Sequence, residues 1–453
     1  MLRRAASETP DEHRLAYLDQ TALELARATG RGQLMQCVWV YEHPLNYEGI
    51  ERFNRNFIDS WGSRLIERSP LPFGRHRWVR PVGRPHPVRV ADKPIPRAEL
   101  LEWADGLADL PIDPVHGPAW HVVVQPLTDG CTAVSMLGSH MIGDGVGALL
   151  AIFEAVTGNT RNFGYEQPGS RTRRQALVAD LRQAVRDLPD TARTAVKAAK
   201  MFRAKRQEFA VARAAHRAVE DSRRVVVPSA AIYVDVPEWD AKAKSLGGNS
   251  YSLVAGFAAK LGEHLGRQGA NGKVSLIIAI NLRESLDDDR ALAMAFANAE
   301  VDPTKVTADL RDARAAIRDA RERAKNEPDP TIELLSVAPW LPQSAIKGIA
   351  EVMFGYSEGL PVSCSNLGDL PPDLGRVDGT DAEYVFIRAL DTNVTLHELK
   401  RSKGQLVVVS GRINGKVSIA VEAYQLGAEN SKERLRALAR QTLDEFGLSG
   451  QID

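Results

Sequence analysis

Cysteine is scarce: Cys37, Cys131 and Cys364 are the three in 453 residues, an odd number and widely scattered. That excludes a disulfide framework and a cysteine-rich zinc site, and it suits a reducing cytoplasm. Long apolar runs are missing as well. Leu276 to Ile280 is typical, a strand-length run far short of the about 20 residues that a membrane span needs. Neither sign of charge is in excess, since 58 Lys and Arg stand against 58 Asp and Glu. A net charge of zero argues against a dedicated nucleic-acid binder. The start, Met1 to Glu8, holds Arg3 and Arg4 but no apolar h-region, so no signal peptide is expected. No phosphate-cradling glycine loop, H-E-x-x-H or G-x-S-x-G occurs, and the histidines lack metal-ligand spacing. No metal and no permanently bound cofactor is therefore expected.

What is present is an ordinary globular composition, 44% hydrophobic and 26% charged, enough to bury a real core. The length fits two large domains or three of average size. Leu34 to Tyr41 reads as a strand. Ile50, Phe53, Phe57 and Trp61 recur at three and four residues, an amphipathic helix. Trp120 to Leu127 and Cys131 to Ser139 read as strands joined by the turn Thr128-Asp129-Gly130, a hairpin. Val146, Leu149, Leu150, Phe153 and Val156 then mark the buried face of a helix. Between Arg171 and Arg224 stand fifteen Lys or Arg and six Asp or Glu, with much alanine, a basic helical crossover. Beyond it, strands are expected at 232–236, 274–281, 362–365, 405–410 and 417–424, with helices at 239–246, 253–265, 306–326 and 433–445. Both halves are thus mixed α and β.

One site has a sharp signature. Ser139-His140-Met141-Ile142-Gly143-Asp144-Gly145 closes the hairpin with the spacing H-x-x-x-D-G and opens onto a helix. A histidine fixed at a strand end, with a near-neutral pKa, suits a general base acting on an alcohol or amine. The activated nucleophile then attacks a thioester carbonyl with no covalent enzyme intermediate. Asp144 orders the loop by pairing with an arginine, and Gly143 and Gly145 leave room for substrate beside the backbone. The bland alternative stays open: Asp144 is a good helix N-cap, glycines in a strand-to-helix turn need no function, and His140 also reads as a core histidine with a satisfied hydrogen bond.

These residues carry a resemblance. The chain resembles the thioester-dependent acyltransferases that include chloramphenicol acetyltransferase, nonribosomal peptide condensation domains, polyketide-associated acyltransferases and the bacterial wax ester synthase/diacylglycerol acyltransferases. Their motif is H-H-x-x-x-D-G, in which the second histidine is catalytic. His140, Asp144 and Gly145 match it, and Ser139 replaces the first histidine. Gly117 to Val122, Gly247 to Ser250, Asn281-Leu282-Arg283 and Val362 to Gly368 follow in the order of the wax ester synthase branch. The resemblance implies an α/β (α+β) fold of two chloramphenicol-acetyltransferase-like subdomains forming a V with a central tunnel. The expected bounds are 1–165 for the first subdomain, 166–228 for the crossover and 229–453 for the second.

It further implies an O-acyltransferase with acyl-CoA or acyl-phosphopantetheine on a carrier protein as donor and a hydrophobic, lipid-like alcohol as acceptor. His140 would be the base and Asp144 its structural partner. Gly143, Gly145, Ser365 and Asn366 would line the substrate passage, with support from Ser139, Arg68 and Arg283. The arginine that holds Asp144 is expected to be Arg68 first and Arg283 second. An amide-forming condensation enzyme and a catalytically silent binding or scaffold relative are the competing readings. The expected location is cytoplasmic, with peripheral contact at the inner membrane face open.

Weaker features have two readings each. Arg64, Arg68, Arg75, Arg77, Arg80, Arg84 and Arg89 crowd together with Trp61 and Trp78, as a phosphate dock or a solvated loop. Thr191 to Arg206 sets Ala192, Ala195, Val196, Ala199 and Phe202 on one helical face and Arg193, Lys197 and Lys200 on another. Its alanines make a poor membrane anchor, so a helix packed across the two halves is expected. Ala345 to Phe354 is an apolar stretch that lines a tunnel or fills a core.

Overall fold

The structure, a computed structural model, describes residues 13–83, 86–204, 223–327, 335–341 and 360–453. Arg84, the end of the basic crossover (205–222) and the stretch Ala345 to Phe354 lie outside the described residues.

Two mixed sheets organise the chain. The first has five strands in the order Tyr384–Asp391, Gln33–Tyr41, Thr132–Ser139, Trp120–Pro126 and Arg89–Val90. The second has seven, in the order Gln451–Ile452, Ser229–Asp235, Lys416–Tyr424, Gln405–Ile413, Val362–Asp369, Val274–Asn281 and Met294–Val301. Val362–Asp369 runs parallel to both of its neighbours, and the remaining pairs of this sheet are antiparallel.

The run from Leu34 to Tyr41 is apolar but for Gln36 because both faces of its strand are covered. Cys37, Trp39 and Tyr41 enter a core with Ile50, Phe53 and Phe57 of helix Tyr47–Asp59 and with Leu149 and Ile152 of helix Gly145–Thr157. Val38 and Val40 point the other way, onto Leu100, Leu101 and Ala104 and onto Ala231, Tyr233 and Ala420 of the second sheet. Strand alternation sends successive side chains into these two layers. The second sheet covers its outer face with helices Val236–Ser245, Ser250–His264, Arg311–Asn326 and Lys432–Glu445.

Three elements were not apparent from the sequence pattern. Met294–Val301 is alanine-rich, yet its Ala297, Ala299 and Val301 alternate into the second core as an edge strand. Helix Tyr17–Thr29 buries Asp19 and Gln20 together with Leu23, so its inner face is largely polar. Tyr384–Asp391 carries an arginine at its middle. Arg388 is buried there by giving hydrogen bonds to Gln36 Oε1 (2.8 Å) and Asp105 Oδ1 (2.6 Å). This strand pairs antiparallel with Gln33–Tyr41, from Gln33 opposite Asp391 to Val40 opposite Tyr384. The chain beyond residue 229 therefore supplies strands to both sheets.

Candidate active site

The hairpin positions His140. Strand Thr132–Ser139 pairs with Trp120–Pro126 on one side and with Gln33–Tyr41 on the other, so it is central. Its last residue, Ser139, stands opposite Leu34 and donates its amide to Ala119 O at 3.0 Å. The Ser139 hydroxyl accepts from the Met141 amide at 3.2 Å and caps the single 3-10 turn His140–Ile142. Ser139 thus has a defined job: it starts the turn that carries His140.

Asp144 follows Gly143, which is in extended backbone, and caps helix Gly145–Thr157 by accepting from Gly147 N at 2.8 Å. The same carboxylate receives Arg283 Nη1 at 2.6 and 2.7 Å and Ala293 N at 2.9 Å. Its own amide donates to Ala291 O at 2.8 Å, and Arg283 Nη2 donates to the carbonyls of Arg290 and Ala291. Both the cap and the ion pair that the sequence suggested are present, and they tie the motif loop to the 289–293 segment from the second half. Arg68 does not take part. It is exposed after the short strand Leu65–Glu67, and Arg283 alone of the two candidates reaches Asp144.

Two further groups hold the same segment. Arg64, buried and stacked on Trp78 at 3.7 Å, donates to Ile142 O (3.1 Å), Asp289 O (2.5 Å) and the Tyr165 hydroxyl (2.8 Å). Asp19 accepts from the amides of Ala291 (3.1 Å) and Leu292 (2.8 Å). Burial pushes the Asp19 carboxyl up to about 6, against the pull of those amides and of Arg64. No spacing in the sequence connects Asp19 with residues near 290; only the folded chain does. Three arginines of the stretch are used inside the protein, while Arg68, Arg80 and Arg89 are exposed. Arg77 pairs with Glu67 and Glu166, and Arg75 gives hydrogen bonds to Leu15 O. For Arg64, Arg75 and Arg77 the phosphate-dock reading is replaced by internal pairing.

The remaining motif side chain is that of His140. Burial holds its imidazole below the ordinary value of 6.5, with Asp144, its own carbonyl and Asp391 pulling the other way. Its Nδ1 is buried with no hydrogen-bond partner among the described residues. Asp144 is saturated by Arg283 and two amides and gives the ring no hydrogen bond. A neutral imidazole on a short, capped turn is an acceptor for a proton.

Next to the motif loop lies a cavity of about 50 Å³, lined by Met35, Cys37, Phe57, Trp120, Met136 and Ile152 among others, with Ser139, Ile142, Gly143 and Gly145 at the motif, while His140 itself does not line it. It is nearly all apolar, and it sits between the first sheet and its helices, whereas the expected tunnel lay between the halves. Gly145 faces the second half: a Cβ there would stand 3.3 Å from Leu367 Cδ2. In the direction of a Cβ, Gly145 is therefore packed against protein. Leu367 follows Ser365 and Asn366 on strand Val362–Asp369, so that strand does come up to the motif helix. Val362 and Cys364 point into the second core, which places Ser363 and Ser365 on the opposite face. The Asn366 side chain turns back to accept from Gly368 N at 2.8 Å. Among the described residues no three His, Cys, Asp or Glu side chains converge as metal ligands would.

No protein-family model and no curated protein matches this sequence. Solved structures do. The first condensation domain of the CDA synthetase superposes with a TM-score of 0.55 at 12% identity, covering 96% of both chains. The chain has the condensation-domain fold. The wax ester synthase/diacylglycerol acyltransferase from Marinobacter aquaeolei VT8 shares this fold, with a TM-score of 0.54 at 15% identity over 96% of this chain and 98% of that one. So does the TRI3 trichothecene 15-O-acetyltransferase from Fusarium sporotrichioides, at 0.53 and 10% identity over 96% and 94%. The condensation-domain fold accounts for both sheets at once: two chloramphenicol-acetyltransferase-like subdomains, as the resemblance implied, with His140 at the end of a central strand of the first.

Proposed function

We propose that this chain moves an acyl group from a thioester, of coenzyme A or of a carrier protein's phosphopantetheine, to a hydroxyl of a lipid-like or other hydrophobic acceptor. The observation that carries the reading is His140: a neutral imidazole on a rigid turn whose neighbours Ser139, Ile142 and Gly143 line an apolar cavity, with its aspartate neighbour fully occupied elsewhere. In this reading the imidazole takes the hydroxyl proton while the acceptor oxygen bonds to the thioester carbonyl carbon. The tetrahedral adduct collapses, the carbon–sulfur bond breaks, and the proton passes from imidazolium to the leaving thiolate. Asp144 takes no proton and acts by geometry. The apolar cavity receives the first carbons of the acyl chain.

The fold is shared by O-acyltransferases and by condensation domains, so the acceptor is the point to test. Thiol release is measured with acyl-CoA donors of graded length and with alcohols and amines as acceptors. Alcohol-dependent release that falls by roughly 10²–10⁴-fold in His140→Ala, at unchanged melting, is the expected result. Release with amines only assigns amide formation. Silence with every donor, together with measurable ligand binding, makes the chain a binding relative.

A further inference from the structure

The long helix Arg173–Ala204 holds a face that nothing described covers. Its inner side is fixed to the first half and also packs on the turn Leu335–Trp340 of the second, as expected for a helix packed across the two halves. Ala176, Asp180, Ala184, Thr191 and Ala198 are buried, Asp180 pairs with Arg14 at 2.9 Å and accepts from Ser69, and Asp187 accepts from the Tyr17 hydroxyl at 3.1 Å. The outer side is not polar, as an exposed helix face ordinarily is. Val178, Leu181, Val185, Leu188 and Val196 are between 48% and 61% exposed, and Ala192 is exposed between them. At 3.6 residues per turn these six fall in one stripe about 80° wide. Most of it lies N-terminal to the alanine-rich face of residues 191–206, with which it shares Ala192 and Val196.

The charges beside the stripe are one-sided. Arg182, Arg186, Arg193 and Lys200 lie along one flank, next to the apolar residues on the same helical projection. The helix has three acids. Asp180 and Asp187 are turned to the body, and Asp190 pairs with Arg193 at 3.0 Å. Apolar spacing of three and four residues would also suit a second copy of the same helix. On a second copy, however, the cationic flank meets no acidic side chain of this helix beyond Asp190. An anionic headgroup layer supplies the missing charge, and its acyl region takes the valines and leucines. No described helix is long and apolar enough to cross a membrane, so the helix lies on the surface.

We infer that the exposed stripe of helix Arg173–Ala204, Val178 to Val196 with its basic flank, docks the protein on an anionic lipid surface. The arginine and lysine stems reach sideways along the apolar boundary while their heads stay with the phosphates. The inference is independent of the chemistry at His140.

The full chain is tested by co-sedimentation with vesicles of phosphatidylcholine alone and of phosphatidylcholine with phosphatidylglycerol. Binding to the anionic vesicles, weakened by about 0.5 M salt and absent on pure phosphatidylcholine, is the expected result. Val185→Asp/Leu188→Asp and Arg186→Glu/Lys200→Glu should each lower the partition on the order of tenfold or more, at unchanged circular dichroism and melting. Light scattering is run on the same samples. Wild type that stays in the supernatant with anionic vesicles overturns the inference. So does a wild-type dimer that Val185→Asp/Leu188→Asp converts to monomer while vesicle binding persists, which assigns the stripe to a second copy.

Discussion

Asp144→Asn tests the central lock, and the structure sets its size. The substitution keeps the shape but leaves Arg283 opposite a neutral amide, in a pair whose side chains are 3% and 4% exposed. Removing one partner of a buried ion pair costs about 3–5 kcal/mol, chiefly because the other charge stays buried. Arg283 keeps the carbonyls of Arg290 and Ala291 at 2.7 and 3.0 Å, which moves the charge term towards the lower figure. Asparagine also has a single acceptor oxygen where the carboxylate serves both Gly147 N and Ala293 N, so its NH2 must face one of these donors. That mismatch adds about 1–3 kcal/mol, and a total near 5 kcal/mol follows. With an unfolding entropy of about 2.1 cal/mol/K per residue, 453 residues give about 1 kcal/mol/K. The expected loss is about 5 °C in calorimetry, with lower thiol release because the His140 turn loosens. The double variant Asp144→Asn/Arg283→Gln should recover part of the loss, since the stranded charge is gone. Asp144→Asn melting with wild type while activity disappears would refute this reasoning and assign the carboxylate direct chemistry.

Ser139→His places a second imidazole next to His140, at the wall of the cavity of about 50 Å³. If the loop is merely less supported by serine, thiol release holds or rises; a cost of about 1–3 kcal/mol with no activity means that the site has been rebuilt around serine. The depressed pKa of His140 predicts that kcat/KM reaches its plateau below the ordinary histidine value of 6.5. A plateau reached only above that value contradicts the neutral base. The same shift makes the unfolded chain bind the extra proton, so the contribution of His140 to stability is present above 6.5 and is lost as pH falls towards the folded value. Glu422, buried between the sheets with Arg388, Asp391 and Asp105 around it, has a carboxyl pushed up to about 8 by burial. The folded state then binds its proton more tightly than the unfolded state, and stability declines by up to about 1.4 kcal/mol per pH unit between its ordinary value and 8. Glu422→Gln should flatten that slope in denaturation curves measured from pH 5 to 8, and an unchanged slope removes Glu422 from the account.

Local pattern carried much of the architecture. The hairpin, the motif helix and the helices of the second half follow from apolar periods of two and three to four residues, which the backbone geometry itself imposes. The spacing from His140 to Asp144 needs only one strand end and one helix start, so it is visible in seven consecutive residues. Pairings between distant segments have no such period. Arg283 and Arg68 are equal as arginines in a sequence; the fold chooses Arg283 because the strand Val274–Asn281 ends where residues 290–293 cross the motif loop. Tyr384–Asp391 belongs to the first sheet because Gln36 and Asp105 meet Arg388 there, a compensation legible only in three dimensions. Exposure is likewise a tertiary quantity. The spacing of Val178, Leu181, Val185 and Leu188 says that they share a face, but only the packing of the opposite face, through Asp180 and Asp187, turns that face outward.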